Sequence, residues 1–277
     1  MAARDNTKGR LTMTALAART PAGHYGFRHV ARMEWIKLRS LRSTWWTLAL
    51  SAAGAVGIGV AVGLNTTNGS EDLTNNALAG LIPALLLSGV LGALLVTSEY
   101  SSGMIRSTLA AAPRRTLLLA GKAAVFGIIA LAFGEAASFI AFFAGGAALR
   151  HGIAAPSLSQ PAVLRAVVLG GAAFCLLGLV GLGLGAIIRH SAAAIAVYVG
   201  CVFVIPTFIG NLVHQVGVYL PIIIVGNSLT ATQSTACRPG AADCTPFVSA
   251  WAGLGLLALY AAVALAVGGW TFARRDA

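Results

Sequence analysis

The chain has 277 residues, of which 57% are hydrophobic and only 10% charged, and its formal net charge is +11. A soluble domain carries charge on roughly a quarter of its residues, so an ordinary soluble enzyme is excluded. A nucleic-acid binder is excluded by where the charge lies: 16 of the 19 Lys and Arg fall before residue 45, within 98–122, at Arg189 or at Arg274–Arg275. Only Arg150, Arg165 and Arg238 fall on the other expected side of a membrane. Charge sorted this way sets topology by the positive-inside bias, and it attracts anionic inner-leaflet lipid.

Residues 1–25 mix Thr, Gly, Arg and Pro21 without an apolar face, and they read as a disordered cytoplasmic tail. The first apolar run starts at Trp45, too far along for an ordinary signal peptide, and Met13 and Met33 are alternative starts. Residues 26–44 read as an interfacial amphipathic helix. Phe27, Val30, Ala31, Leu38, Leu41 and Trp45 share one helical face, with Arg28, Arg32 and Arg39 on a neighbouring one. Glu34 lies inside the apolar face. It pairs either with Lys37 one turn on or with a basic group on another segment, tying the helix to the loop at 98–122.

From residue 45 to 277 the chain reads as one all-α transmembrane domain. Six runs, at 45–64, 77–97, 123–149, 165–188, 192–213 and 247–272, reach the roughly 20 residues that cross a hydrocarbon core about 30 Å thick. An even number of spans puts both termini on one side, the cytoplasm. Gly59 with Gly63 and Gly181 with Gly185 form GxxxG pairs, which favour close helix crossings. The glycines of 165–188 are no phosphate loop, because no Lys-Ser or Lys-Thr follows them. Pro206 should kink the fifth span. Glu135 sits midway along the third. An acid there costs several kcal/mol if it faces lipid. It reads either as a polar point in a transport path or as a structural acid, with Ser138 one turn away as its partner.

The segment 216–225, interrupted by Pro221, is too short to cross and reads as re-entrant or interfacial. Cys237 and Cys244 lie on the expected outer, oxidising side and are a candidate disulfide. With no third ligand they are not a zinc site. Cys175 and Cys201 lie in spans and read as small apolar residues.

The loop at 98–122 carries Glu99, Arg106, Arg114, Arg115 and Lys122. Ser101 and Ser102 can cap a helix, and Met104, Ile105, Thr108 and Leu109 recur at helical spacing. Pro113 ends that helix and a second start follows at Thr116. A short helix at 104–112 on the inner surface is a handle by which a cytoplasmic partner can move the spans. The alternative is a solvated basic loop that only fixes topology.

Glu99-Tyr100, Gly103, Ile105-Arg106, Leu109, Pro113, Arg114-Arg115 and Ala120-Gly121-Lys122 together resemble the first cytoplasmic loop of ABC-2 type transporter permeases. Glu34-Trp35 and Lys37-Leu38-Arg39-Ser40 are similar to the N-terminal lead-in helix of that family. With the six-span layout, the resemblance extends over residues 27–275. It implies that the short helix is a coupling helix contacting a separate ATP-binding cassette subunit through Glu99, Tyr100, Gly103, Ile105, Arg106, Pro113, Arg114 and Arg115. Glu34, Trp35, Lys37 and Arg39 would belong to the lead-in helix. ATP and Mg would sit on the partner, with no cofactor on this chain. A second copy or a related permease would complete a twelve-span body in a bacterial plasma membrane. Short re-entrant helices before the last span fit the same family.

The chemistry of an enzyme is missing. There is no G-x-x-x-x-G-K-[ST]: Gly121-Lys122 has Thr116 where the first Gly belongs and Ala123 after it. No His, Cys, Asp or Glu group has metal-ligand spacing, and no Gly-x-Ser-x-Gly or HExxH occurs. The reading is therefore a permease subunit that exports a small or lipophilic compound. The alternatives are a non-transporting membrane assembly or binding protein, or a secondary transporter.

Overall fold

The computed structural model describes residues 26–67, 69–105, 107–108, 114–150, 152–232 and 248–274, with the backbone alone at Asn211 and His214. Among these residues every regular element is a helix. They are α1 Phe27–Ser40, α2 Arg42–Asn65, α3 Leu73–Leu78, α4 Leu81–Ser101, α5 Arg115–Ala147, α6 Pro161–Ile188, α7 Ser191–Val199, α8 Ile205–Leu212, α9 His214–Gly217, α10 Pro221–Ser228 and α11 Ala250–Arg274. A π-helical turn, Gly200–Val204, joins α7 to α8. Six stretches are long and apolar enough to cross a membrane: Arg42–Asn65, Leu73–Ser101, Arg115–Ala147, Pro161–Ile188, Ser191–Gly210 and Ala250–Arg274. The chain is a multi-pass membrane protein. The expected tail at 1–25 and the Cys237–Cys244 pair lie outside the described residues.

α6 is the axis of the bundle. Its most apolar stretch is 72% buried, against 22% for Ser191–Gly210. It packs against α4, α5 and α11. In lipid, apolar contact alone gives helices little reason to associate, so small residues that let backbones close up carry the packing. At the α4–α6 crossing, a Cβ on Gly181 would fall 2.0 Å from the Gly89 carbonyl oxygen, and one on Gly92 equally close to that of Gly178. The Gly59/Gly63 pair does the same for α2. Gly59 lies against the Ala77 carbonyl and Gly63 against that of Gly145.

Prolines sit where a missing N–H does no harm. Pro161 and Pro221 open α6 and α10. Pro206 follows the π-helical turn, so the expected kink takes the form of one widened turn. Asp72 caps α3 by accepting from the Thr74 and Asn75 amides at 3.1 and 3.0 Å. Its other oxygen accepts from the Thr232 amide and hydroxyl at 2.8 and 2.7 Å, joining the two loops of that end.

The helices run further than the apolar runs suggest. α4 continues through Ser101, so Glu99 and Tyr100 are helical, and α5 begins at Arg115, one residue before the start read at Thr116, with Lys122 inside it. Ser101 and Ser102 do not start a new helix. Both hydroxyls donate back to the Ser98 carbonyl, at 3.1 and 2.7 Å. Gly103, at φ +70°, then turns the chain out of α4, with its amide on the Tyr100 carbonyl at 3.2 Å. One further turn is visible where the Thr108 amide bonds the Met104 carbonyl at 3.0 Å. The rest of the expected 104–112 helix, Arg106 and Pro113 lie outside the described residues.

Candidate functional site

α1 lies along the first half of α5 and buries Val30, Glu34 and Leu38, which recur every four residues on one face. Gly121 makes the approach possible: a Cβ there would fall 2.6 Å from a Val30 methyl carbon. The close contact delivers Glu34 to Lys122, the residue after that glycine. Lys122 Nζ donates to Glu34 Oε2 at 2.7 Å and to Glu99 Oε1 at 2.5 Å. Lys37 Nζ donates to the same Glu99 oxygen. The result is an alternating chain, Glu34–Lys122–Glu99–Lys37, joining α1, the end of α4 and the start of α5. Two acids and two lysines cancel in charge. The side chains of Glu34, Glu99 and Lys122 are 1%, 2% and 5% exposed.

Charges buried to this degree are tolerable only when paired. Glu34 and Lys37 stand at helical spacing, yet each takes a partner on another helix. The helix-internal pair expected as one option for Glu34 is absent; the tie to another segment is present, and it runs to Lys122.

A second layer lies beside the ion chain. Val30, Ile105, Leu118 and Phe272 form a buried apolar cluster with Met33, Tyr100 and Leu117 packed on it. The Arg189 guanidinium sits 5.2 Å from the Tyr100 ring and 6.0 Å from that of Phe272, and donates to the Thr271 carbonyl at 3.1 Å. Tyr100 and Phe272 meet edge to face at 6.3 Å. Arg189 has φ +61°, a left-handed conformation that costs a non-glycine residue roughly 1–2 kcal/mol. Its cation–π and hydrogen-bond contacts hold the tight α6–α7 turn against that strain. Thus α1 and the ends of α4, α5, α6 and α11 converge on one end of the bundle.

The described residues expected at the coupling contact and in the lead-in helix divide into two sets. Glu34, Glu99 and Ile105 are buried, while Lys37, Tyr100 and Arg115 are half-buried. These fasten helices together. Trp35, Arg39, Gly103 and Arg114 are exposed, with Met104 beside them, and they offer the outward surface. Glu99, read from the sequence as a surface contact, has its carboxylate occupied by two lysines. Sequence reasoning missed Arg189, Phe272 and the role of Lys122. The helical phase of Gly121-Lys122 was a signal for the last, whereas nothing local marks the first two.

Glu135 lies in mid-span on α5, half-buried against α6. A Cβ on Gly171 would fall 2.6 Å from its carboxyl carbon. Ser138, its expected partner, donates to the Val167 carbonyl at 2.7 Å instead. Among the described residues Glu135 makes no hydrogen bond or ion pair. No group of three or more His, Cys, Asp or Glu among them could hold a metal ion.

Fold and site together define a multi-pass membrane protein whose basic end is drawn together by a neutral, buried ion chain. No protein-family model matches this chain, and no curated protein matches it either.

Proposed function

We propose that this chain is the membrane subunit of an ABC-2 type transporter, working with a separate ATP-binding cassette subunit that carries ATP and Mg. The basic end faces the cytoplasm with both termini, in a bacterial plasma membrane. α9 and α10 form the short re-entrant pieces on the far side. The cargo is a small or lipophilic compound, moved outward. A second copy or a related permease supplies the other half of the body.

The observation that carries the reading is the ion chain Glu34–Lys122–Glu99–Lys37. It fastens three helices around the basic loop, so a force applied at 102–114 reaches α1, α4 and α5 as one unit. Met104 and Arg114 are exposed in that loop and are available to a docked subunit. Nucleotide binding on the partner would bias two arrangements of this unit, provided that the loop contacts differ between them.

The test is recovery of the tagged full chain from mild detergent, with co-purifying proteins identified by mass spectrometry, for wild type and Arg106→Glu. A Walker-type ATPase recovered with wild type and lost with the variant is the expected result. Recovery with both keeps the class and moves the contact away from Arg106. No ATPase with either, from intact protein, overturns the reading in favour of an assembly protein or a secondary transporter.

A further inference from the structure

Glu135 is an acid midway along a span, and among the described residues nothing neutralises it. It stands 12 residues past the start of the apolar run at Ala123, about 18 Å along the helix axis. The cations nearest in chain or on the packed helix are engaged elsewhere. Lys122, about 20 Å away along α5, is held by Glu34 and Glu99. Arg165 lies about 9 Å along α6 from Gly171; its Nη2 donates to the Thr230 carbonyl at 2.9 Å, its buried Nε has no hydrogen-bond partner among the described residues, and no ion pair joins it to Glu135. On α6 the one titratable neighbour is Cys175, whose thiol donates to the Gly127 carbonyl at 3.3 Å.

An uncompensated carboxylate in hydrocarbon costs several kcal/mol, so Glu135 either carries a proton or meets a counter-charge from outside the described residues. The surroundings say what kind. Gly171 has no side chain, so the carboxyl rests against the bare backbone of α6 at the α5–α6 crease. On its flank of α5, at helical spacing, lie Ile128, Leu131, Phe139 and Phe143, all exposed or half-exposed. One negative charge set among aliphatic and aromatic surface suits a cation with an apolar body, whose charge the ring faces also attract.

We propose that Glu135 and this crease are a membrane-level binding site for a lipophilic cation, such as a protonated amine or a quaternary onium on an apolar frame. The inference rests on the transport reading for its purpose, since such a cation would be cargo, but the binding itself needs no ATPase.

The test uses the full chain in phosphatidylcholine nanodiscs and radiolabelled tetraphenylphosphonium as the probe. Wild type should bind it saturably. Glu135→Gln should weaken binding about tenfold or more, the loss of one charge-assisted contact, and Glu135→Asp should retain most of it. In a second measurement on wild type alone, dicyclohexylcarbodiimide should label Glu135, and the phosphonium should slow that labelling. Equal binding by wild type and Glu135→Gln overturns the proposal, as does no saturable binding by wild type. Labelling that the phosphonium leaves unchanged also overturns it, and assigns Glu135 a proton only. Because no partner subunit is present, failure here leaves the ATPase pull-down result standing, and failure of the pull-down leaves this binding result standing.

Discussion

Glu99 and Glu135 are both acids on apolar helices, and the chain treats them in opposite ways. Glu99 stands near the end of α4, where α1 and α5 each bring a lysine to one of its oxygens. Glu135 stands mid-span on α5, where the neighbouring helix brings only a glycine. The first acid is spent on architecture: it shares Lys122 with Glu34, and removing that lysine strands Glu34 in a dry place. The second packs against Gly171 but makes no hydrogen bond or ion pair among the described residues, which leaves its carboxyl to something that arrives from the bilayer. Burial alone does not separate a fastening group from a binding group; the presence of a partner does.

The sharpest way to break that contrast is to strand the acids of the ion chain. Lys122→Leu leaves Glu34 without its cation and should destabilise the protein by about 3–5 kcal/mol, read as loss of the monodisperse peak after graded heating in detergent. Adding Glu34→Leu removes the stranded acid while Glu99 keeps Lys37, so the double variant should be more stable than Lys122→Leu alone. A double variant no better than the single would mean that the ion pair is not what Lys122 supplies.

Gly121→Val comes next. It leaves every charge in place but forces α1 away from α5 at Val30, and should cost about 1–3 kcal/mol by overpacking. It should also raise the reactivity of Lys122 toward an amine-directed reagent, as the ion chain opens. Ser138→Ala should cost only about 0.6 kcal/mol, the ordinary size of an interhelical hydrogen bond in a membrane. It should leave carbodiimide labelling of Glu135 unchanged, because Ser138 serves Val167. Smallest of all, Glu135→Gln should shift thermal stability by no more than about 0.5 kcal/mol, as expected where no native contact is lost. A large drop would show that Glu135 is structural after all and would erase the contrast with Glu99.

Much of the architecture was legible in advance because lipid makes it so. A run of some 20 apolar residues has few alternatives to a crossing helix, since no water satisfies its backbone. The glycine pairs at Gly59/Gly63 and Gly181/Gly185 were legible as close crossings for the same reason, although not which helix each would meet. Helix ends were harder to read. Glu99 and Tyr100 look like loop because they are polar, yet once Lys122 neutralises Glu99 the helix continues through both, whereas the start read at Thr116 falls one residue from Arg115. Ser101 and Ser102 mark a helix boundary correctly and its direction wrongly, because a serine hydroxyl can satisfy a carbonyl behind it as readily as an amide ahead.

By itself, then, the sequence determined the class of environment, the six stretches long and apolar enough to cross, the basic end and the position of Glu135 within one of them. These follow from composition and from periodicity along one chain. Only the tertiary structure decided the partners: that Glu34 reaches Lys122 and not Lys37, that Arg189 stacks on Tyr100 and Phe272, and that Ser138 turns away from Glu135. Each depends on which helices lie side by side. That is set by the fit of small residues at the crossings, a property of pairs of surfaces that no single stretch of sequence contains.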